Sequence, residues 1–353
     1  MSDKILMKGN EALAEAAIQA GCRHYFGYPI TPQTEVAAYM AKRMPKIGGC
    51  FLQAESEIAA INMVYGVASA GYRVMTSSSS PGISLKAEGI SYIAGADLPA
   101  FIVNVQRGGP GLGGIQPGQA DYFQATKGGA HGDFKMVVLA PASVQEMADL
   151  TGKGFDIADK YRMPVMLLAD GTLGQMMEPV TINKSESAQV EKPWALTGTK
   201  CARKHNVINS LYLNPEKLEE TVVERFKRYE EVEKNEVMYE EFMMEDAEYC
   251  AVAFGIAARV TRNAVIAARE AGIKVGMIRP ITLWPFPVEP LARAAEHCKA
   301  FISVELNMGQ MIEDVRLATG CKAPVYLCNR TGGIIVTPDE VLAKIKEAAG
   351  GTK

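Results

Sequence analysis

The segment "RVMTSSSSPGISLKAEGISYIAGADLPAFIVNVQ", residues 73–106, decides the fold class of this chain. Its two apolar ends, "RVMTS" (73–77) and "AFIVNVQ" (100–106), are predicted strands, and "GISLKAEGISYIAG" (82–95) between them is a predicted helix. Strands that are apolar throughout, joined by a helix of this length, are typical of a parallel sheet with helices packed on its faces. The segment therefore predicts a parallel β-α-β unit.

The same alternation extends in both directions, from Gly9 to about Thr181. The other predicted helices are "EALAEAAIQAG", "TPQTEVAAYMAKRM", "ESEIAAINMVYGVASAG" and "SVQEMADLTGKGFDIADKY", and the other predicted strands are "HYFGY", "GCFLQ", "MVVLA" and "PVMLLA". Buried strands separated by such helices predict a doubly wound α/β domain with a sheet covered on both faces. We assign this domain to residues 1–182.

A second, smaller α/β domain is predicted for residues 250–353, where strand-like runs such as "CAVAFG" and "AFISVEL" again alternate with helical segments. Residues 183–249 differ in character. They begin with polar, turn-rich sequence and pass into "PEKLEETVVERFKRYEEVEKNEVMYEEF", which is rich in acid–base pairs at helical spacing. We expect a connecting arm with an exposed helix, whose charged face is either simply solvated or a subunit contact.

Composition excludes several classes of function. The 353 residues are 48% hydrophobic and 22% charged, and no apolar run approaches the length of a membrane span, so we expect a cytoplasmic protein. A net charge of -3 without a basic aromatic stripe argues against nucleic-acid binding. The 7 cysteines and 4 histidines are scattered and form no CxxC pair. We therefore expect no metal ion and no iron–sulfur cluster held by this chain alone.

Ligands of open α/β sheets bind beyond the carboxyl ends of the strands, so the strand-to-loop junctions are candidate sites. The first junction is "HYFGYPITPQTE", residues 24–35. Thr31 followed by Pro32 matches a helix N-cap with proline at the first helical position. A ligand contact is compatible with that interpretation, because hydroxyls and free amides at a helix start face the same crevice.

Two further junctions contain carboxylates and serines. In "FLQAESEIAAINMVYGVASAG", residues 51–71, Glu55 and Glu57 precede a helix of small residues, where stabilisation by the helix dipole is the simplest explanation. Ala60 and Gly66 are expected to let that helix pack closely. In "MTSSSSPG", the serines at 77–80 form either a turn with capping hydroxyls or a loop whose backbone a ligand approaches.

The fourth junction, "NVQRGGPGLGGIQPG", places Arg107 directly after a predicted strand. Arginine binds a carboxylate through two parallel hydrogen bonds, although a surface arginine is the alternative. The GxGxxG match in this loop is rejected, because Pro110 lies inside it and no helix follows to receive a pyrophosphate. The chain also lacks GxSxG, HExxH and P-loop motifs. Such junctions without a nucleophile or metal predict a bound cofactor, or half of a site completed by another chain.

Taken in order, these junctions and several other motifs resemble the alpha subunit of 2-oxoacid:ferredoxin oxidoreductases. The motifs are "GYPITP", "QAESEIAA", "MTSSSSPGISLKAEG", "VNVQRGGPGLG", "ADYFQATKGGAHGD", "IRPITLWPFP" and "VELNMGQM". Within that family, "SSSSPGISLK" and the chain length are most similar to the 2-oxoisovalerate (branched-chain) members. The resemblance covers the chain apart from residues 183–249.

The resemblance implies a thiamine diphosphate enzyme built from separate subunits. This chain would supply a pyrimidine-type thiamine-diphosphate-binding domain followed by a transketolase C-terminal-like domain. A beta subunit would complete the cofactor site and hold Mg²⁺ at the diphosphate. In agreement, the nearest match here to the diphosphate motif is Ala169-Asp170-Gly171, which lacks the first glycine. Iron–sulfur clusters would lie on partners, which include gamma and ferredoxin-like subunits, with ferredoxin as electron acceptor and coenzyme A as co-substrate.

The resemblance also assigns site residues. Glu57 falls on the glutamate that hydrogen-bonds the aminopyrimidine ring, with Pro29 and Ser80 as further cofactor contacts. Thr31 and Arg107 fall on positions that contact the oxo group and carboxylate of the substrate. Glu57 is thus the predicted catalytic residue, and Glu55 is left as the helix-end residue, stabilised by the helix dipole, or as a subunit contact.

The function implied is oxidative decarboxylation of a branched-chain 2-oxoacid to acyl-CoA and CO₂. Alternatives are the same reaction on 2-oxoglutarate or pyruvate and, in a different class, a non-catalytic assembly subunit. The run Ser78-Ser79-Ser80-Pro81-Gly82 departs from the Thr-Ser-Gly-Pro-Gly turn common in 2-oxoglutarate and pyruvate members. No second basic side chain suited to a distal carboxylate is evident, which favours an apolar substrate.

Overall fold

The computed structural model describes residues 4–182 and 190–350. The strands are Ile5–Lys8 (β1), His24–Gly27 (β2), Cys50–Gln53 (β3), Val74–Ser78 (β4), Ala100–Gln106 (β5), Val137–Leu139 (β6), Pro164–Asp170 (β7), Met177–Val180 (β8), Tyr239–Phe242 (β9), Tyr249–Ala253 (β10), Val275–Pro280 (β11), Thr282–Trp284 (β12), Ala300–Glu305 (β13) and Val325–Asn329 (β14).

The α-helices are Gly9–Gln19 (α1), Thr34–Arg43 (α2), Glu57–Ser69 (α3), Ser80–Gly95 (α4), Val144–Tyr161 (α5), Gly171–Gln175 (α6), Pro215–Asn235 (α7), Gly255–Glu270 (α8), Val288–Ala294 (α9), Met311–Ala318 (α10) and Pro338–Ala348 (α11). A short 3-10 helix, Met44–Ile47, follows α2, and a π-helical turn occupies Gln124–Gly128.

The first sheet has the strand order β12-β6-β7-β5-β4-β2-β3, in which all pairs except β12–β6 are parallel. Every residue of β4, β5 and β7 is buried, which explains why these strands are apolar on both faces rather than alternating. The predicted parallel sheet, with helices between its strands, is confirmed.

The second sheet has the order β14-β13-β10-β11-β9 and is parallel except at its edge strand β9. Two short strands in these sheets were not foreseen. Strand β9 falls within the predicted arm, and β12, although it follows β11 in the chain, joins the first sheet beside β6. Strands this short are too brief to show an alternation of apolar and polar residues. Their formation depends on pairing and packing with neighbouring elements, which the local sequence does not reveal.

The segment between β5 and β6 binds the first part of the molecule to the second. Gln119 is completely buried, and its Nε2 donates to the carbonyl oxygen of Phe254 over 2.9 Å. Its Oε1 accepts from the backbone N–H of Leu306 at 3.1 Å, and its own carbonyl accepts from Nδ2 of Asn307 at 2.8 Å. One side chain thus hydrogen-bonds backbone groups from two separate segments of the second part.

Helix α7 is mostly exposed, as its charged sequence predicts, but one of its faces is anchored. Arg225 is buried and donates from Nε to Oδ1 of Asp97 over 2.9 Å and from Nη2 to the carbonyl of Gly95 over 3.0 Å. Tyr229 and Val232 are also buried on this face. Within the described ranges, no helix is long and apolar enough to cross a bilayer.

Candidate functional site

A cavity of about 470 Å³ opens at the carboxyl ends of β2, β4 and β5. Because these strands are parallel neighbours, the loops that follow them meet at the same edge of the sheet. The lining residues come from the loop after β2, the first turns of α3 and α4 and the loop after β5, and they are Pro29, Ile30, Thr31, Thr34, Glu57, Pro81, Gly82, Leu85, Arg107, Leu112 and Ile115. Four of the five predicted site residues are therefore brought together.

Glu57 is the first residue of α3 and is only 6% exposed, whereas Glu55 is exposed to solvent. Ser56 caps the helix, its Oγ accepting from the N–H of Ala59 at 3.1 Å, and this cap fixes the direction of the first turn. No donor among the described residues hydrogen-bonds the Glu57 carboxylate, which borders the cavity. A buried carboxylate without a protein partner is positioned for a hydrogen-bonding ligand.

Gly82 lets α4 approach this carboxylate. A Cβ added at Gly82 would lie 2.1 Å from Oγ of Ser78 and 2.7 Å from Oε1 of Glu57, so only glycine fits. The capping interpretation of the serines is wrong: Ser78 continues β4, and Ser79 occupies the N-cap position of α4 without a side-chain cap bond. The hydroxyls of Ser78 and Ser79 are buried without a hydrogen-bond partner in the described structure.

Arg107 is not a surface residue, so that alternative is wrong; its side chain is 8% exposed. Nη1 donates to the carbonyl of Thr31 over 3.0 Å and Nη2 to the carbonyl of Leu112 over 3.1 Å, while Nε is buried without a partner within the described residues. These bonds hold the guanidinium between the loop after β2 and the loop after β5. Its remaining N–H groups are available to an anion in the cavity.

Ser80 does not line the cavity. Its hydroxyl donates to Oδ2 of Asp121 over 2.6 Å and accepts from the backbone N–H of Arg107 at 3.1 Å. Nδ2 of Asn104 also donates to Oδ2 of Asp121, over 2.9 Å. Burial raises the pKa of Asp121, and the hydrogen bonds from Ser80 and Asn104 oppose that shift. The structure thus places Ser80 behind Arg107, and its contact with a cofactor stays a prediction.

Asp121 and Asn104 belong to this support but were not singled out from the sequence. A signal was present in "AFIVNVQ", because the polar Asn104 lies inside a fully buried, mostly apolar strand and must find a hydrogen-bond partner. The partner itself, Asp121, lies 17 residues further along the chain. Nothing in the local sequence indicates that pairing.

The N-cap interpretation of Thr31 is wrong. Helix α2 begins at Thr34 with Gln33 in the cap position, because the N–H of Gln33 bonds back to the carbonyl of Ile30 at 3.2 Å and closes a turn first. Thr31 is exposed and borders the cavity beside Pro29. Its hydroxyl is therefore placed for a ligand rather than for the helix.

The expected close packing through Gly66 is also wrong, because a Cβ at Gly66 would meet nothing within 4 Å. Ala60 is completely buried, as expected. The close contact of α3 is made instead by Gly89 on α4, where a Cβ would lie 2.4 Å from Cγ2 of Ile61. The small residue that permits the approach is thus on the neighbouring helix.

Two family models match the chain. Residues 15–241 match the thiamine diphosphate-binding domain of pyruvate flavodoxin/ferredoxin oxidoreductases, and residues 247–341 match core domain II of pyruvate:ferredoxin oxidoreductase. The chain belongs to the 2-oxoacid:ferredoxin oxidoreductase family. The family prediction is confirmed, and the chain is an oxidoreductase subunit.

Two curated relatives differ in the substrate that their names give. The ketoisovalerate oxidoreductase subunit VorB of Methanothermobacter marburgensis is 53% identical over 98% of both chains. The 2-oxoglutarate synthase subunit KorA of the same organism is 36% identical over 98% of this chain and 99% of the relative.

Solved structures confirm the fold class. The 2-oxoglutarate:ferredoxin oxidoreductase of Magnetococcus marinus, solved with 2-oxoglutarate, coenzyme A and succinyl-CoA bound, superimposes with a TM-score of 0.86 at 31% identity; the match covers 98% of this chain but 65% of that longer one. A split-gene transketolase in an inactive beta4 tetramer gives a TM-score of 0.62 at 15% identity, covering 99% of each chain, and shows the fold alone.

Proposed function

We propose that this chain is the alpha subunit of a thiamine diphosphate-dependent enzyme that oxidatively decarboxylates a branched-chain 2-oxoacid, such as 2-oxoisovalerate, to acyl-CoA and CO₂ with ferredoxin as acceptor. The observation that carries the proposal is the buried carboxylate of Glu57, which has no hydrogen-bond partner among residues 4–182 and 190–350 and borders a cavity that Arg107 also lines. The 53% identity to a ketoisovalerate oxidoreductase subunit supports the same reaction class.

The residues at the cavity fit the aminopyrimidine half of the cofactor. Glu57 offers a largely buried carboxylate to a ring nitrogen, and a proton is shared more effectively in a buried position than in solvent. Gly82 keeps the space beside Oε1 open, and the unpartnered hydroxyl of Ser78 lies next to it. When bound, thiamine diphosphate supplies the carbon nucleophile for the 2-oxo carbon. The chain's own task is to orient the ring and to share a proton with it through Glu57.

Arg107 and Thr31 are proposed to bind the substrate. The guanidinium of Arg107 would donate to the 2-oxoacid carboxylate, and its bonds to two backbone carbonyls restrict its movement beforehand. The hydroxyl of Thr31, exposed on the same wall, would orient the adjacent oxygen. Coenzyme A is the proposed acyl acceptor.

The cavity suits an apolar substrate side chain. Leu85, Leu112 and Ile115 line it, and Arg107 is the only cationic lining residue in the described parts of the chain. A substrate with a distal carboxylate would leave that charge unpaired in an apolar environment, which is costly. This supports a branched aliphatic substrate over 2-oxoglutarate.

The open side of the cavity is proposed to be covered by a beta subunit. Leu112 is 85% exposed and Ile115 is 59% exposed, although both border the cavity, and such exposed apolar side chains are typical of a surface that another chain buries. No three potential metal ligands converge within residues 4–182 and 190–350. Mg²⁺ is proposed to be held by the beta subunit, and the iron–sulfur clusters by partner subunits.

The test uses the co-purified complex with viologen or ferredoxin reduction as readout. Glu57→Gln should lower turnover of 2-oxoisovalerate by at least about 100-fold, because the amide cannot share a proton with the ring. Glu55→Gln is the matched control, since it removes a carboxylate two residues away that is exposed, and it should keep normal turnover.

The same preparation should be assayed with 2-oxoisovalerate, 2-oxoglutarate and pyruvate. We expect the highest kcat/KM with 2-oxoisovalerate. A preference for 2-oxoglutarate or pyruvate would reassign the substrate within the family. Full turnover by Glu57→Gln would refute the proposed role of this carboxylate, and absence of thiamine diphosphate binding by the wild-type complex would support a non-catalytic assembly subunit.

A further inference from the structure

Lys86 is a completely buried lysine on α4. Its Nζ donates a hydrogen bond of 2.9 Å to Oγ1 of Thr76, which is also completely buried. Within the described residues, no carboxylate lies within ion-pair distance of this ammonium. A buried ammonium that is paired only with a neutral hydroxyl lowers the stability of the fold. Such a group is a candidate for a role in the neighbouring site.

The position of Lys86 follows from the face that α4 presents to α3. A Cβ at Gly82 would meet Oε1 of Glu57 at 2.7 Å, and a Cβ at Gly89 would meet Cγ2 of Ile61 at 2.4 Å. Positions 82, 86 and 89 share one face of a helix. Lys86 therefore lies between two close contacts of α4 with the first turns of α3, one turn from the contact with Glu57.

Electrostatics link the two side chains. Burial lowers the pKa of Lys86 to about 8, and the negative charge of Glu57 opposes this shift. At pH 7 the ammonium form therefore prevails. The interaction acts through the protein interior, where charges are screened less than in water.

Arg107 also faces the cavity that Glu57 borders, while the other titratable or charged groups on the packed elements have hydrogen-bond partners of their own. Tyr25 on β2 shares a hydrogen bond with Ser77, and the carboxylate of Asp121 accepts from Ser80 and Asn104. The carboxylate of Asp170 at the end of β7 accepts from backbone N–H groups, and Arg107 after β5 donates to backbone carbonyls. On the outer side of α4, Tyr92 donates to Glu88. Lys86 is thus the cation on the α4 face that packs against Glu57.

We propose that Lys86 is a positioning residue that favours the ionised form of Glu57 across the contact between α3 and α4. The ammonium disfavours a proton on Glu57, so the proton that Glu57 shares with the cofactor ring is held closer to the ring nitrogen. No bond to Lys86 forms or breaks. The inference rests on the proposed function, because it presupposes that Glu57 meets the cofactor.

The test is a titration of Glu57 in the complex freed of thiamine diphosphate. Infrared difference spectra over pH 4–9 report the protonated carboxyl, and the band of Glu57 is assigned by its loss in Glu57→Gln. Lys86→Met keeps a long side chain but removes the charge. We expect it to raise the midpoint of the Glu57 band by about one pH unit, because an opposite charge nearby favours ionisation. Lys153→Met removes an exposed lysine from α5 and should leave the midpoint unchanged.

Two further measurements separate this role from a structural one. The pH dependence of the dissociation constant of thiamine diphosphate, measured by calorimetry with Mg²⁺, should shift in Lys86→Met in parallel with the infrared band. The thermal midpoint of the complex should be unchanged or higher, because methionine places no charge in the core. If Lys86→Met does not assemble, Thr76→Val removes the hydroxyl that accepts from Lys86 and should shift the Glu57 band in the same direction by less.

The outcomes distinguish this inference from the function on which it rests. An unchanged Glu57 midpoint in Lys86→Met overturns the role of Lys86, while loss of turnover in Glu57→Gln would still support the proposed function. Full turnover in Glu57→Gln overturns the proposed function itself. Failure of both the Lys86 and Thr76 variants to assemble would identify Lys86 as a folding residue and would also overturn the inference.

Discussion

At the scale of single residues, Arg107 shows how one side chain is prepared for a ligand. It is nearly buried, and two of its N–H groups bond the carbonyls of Thr31 and Leu112. Behind it, Ser80 and Asp121 fix the backbone at the same position. Because this orientation is established by the protein, a substrate carboxylate would not have to order the guanidinium on binding.

Arg107→Lys should therefore raise the KM for the 2-oxoacid by about 10- to 100-fold, which corresponds to the loss of one charge-assisted hydrogen bond and of orientation. The dissociation constant of thiamine diphosphate should change little, since Arg107 is not among the predicted cofactor contacts Glu57, Pro29 and Ser80. Steady-state kinetics and calorimetry on the complex measure the two effects.

Thr31→Val is the companion variant, because it removes the hydroxyl but keeps the backbone carbonyl that Arg107 bonds. We expect Thr31→Val to raise the KM for the 2-oxoacid by less than Arg107→Lys does. Equal losses of substrate and cofactor affinity in Arg107→Lys would show that the arginine supports the whole cavity rather than binding substrate.

At the scale of secondary-structure elements, the contact between α3 and α4 sets the geometry of the site. Both helices begin at the cavity, and α4 approaches α3 at two glycines, Gly82 and Gly89. Glycine at such positions is explained by the absence of space for a Cβ rather than by helix propensity. The approach keeps Glu57 in the interior and brings Lys86 to the same interface.

Gly89→Ala should destabilise the complex by about 1–3 kcal/mol, because its Cβ would overlap Ile61 in a packed core. Gly66→Ala is the matched control on α3. It meets nothing within 4 Å and should instead stabilise the helix by about 0.5–1 kcal/mol. Thermal unfolding of the complex compares the two.

If the overlap is the cause, the double variant Gly89→Ala with Ile61→Ala should lose less stability than the sum of the losses in the two single variants. Equal effects of Gly89→Ala and Gly66→Ala would contradict the packing argument.

The elements also show what the sequence could and could not predict. Long buried strands such as β5 and β7 were predictable, because their length and apolar character leave few alternatives. The sequence analysis assigned the close contact of α3 to Gly66, whereas Gly89 on α4 makes it. The sequence of a helix does not reveal which neighbour covers each of its faces. The site residues came from family motifs, whereas the pairing of Ser80 with Asp121 depends on a contact between distant segments.

At the scale of the whole molecule, Asp170 joins the two parts of the chain. It ends β7 and caps α6, its Oδ1 accepting from the N–H groups of Thr172 and Leu173 at 3.0 Å each. Its Oδ2 accepts from the N–H of Ile256 at the start of α8, at 3.1 Å. The sequence analysis found here only the nearest match to a diphosphate motif, and the structure shows that the Asp170 carboxylate accepts from three backbone N–H groups.

Burial raises the pKa of Asp170 to about 6, and the three backbone hydrogen bonds limit that shift. Since the folded pKa lies above the usual value of an aspartate, folding favours the protonated form. The contribution of Asp170 to stability is therefore greatest below about pH 4 and decreases as the pH rises through about 6. Between these limits the change is on the order of 2–3 kcal/mol.

Asp170→Asn replaces the titrating carboxyl group by a neutral amide. The amide nitrogen takes the place of one carboxylate oxygen and cannot accept the backbone hydrogen bond that this oxygen accepts. We expect the variant to lower the thermal midpoint of the complex at both pH 5 and pH 7.5, with the larger deficit relative to wild type at pH 5, where the wild-type residue carries its proton. Glu55→Gln, the loss of an exposed carboxylate, should show no such pH-dependent difference. A deficit that grows instead towards pH 7.5 would mean that the ionised carboxylate is the form that holds α8 against β7, and that its backbone hydrogen bonds outweigh the cost of burial.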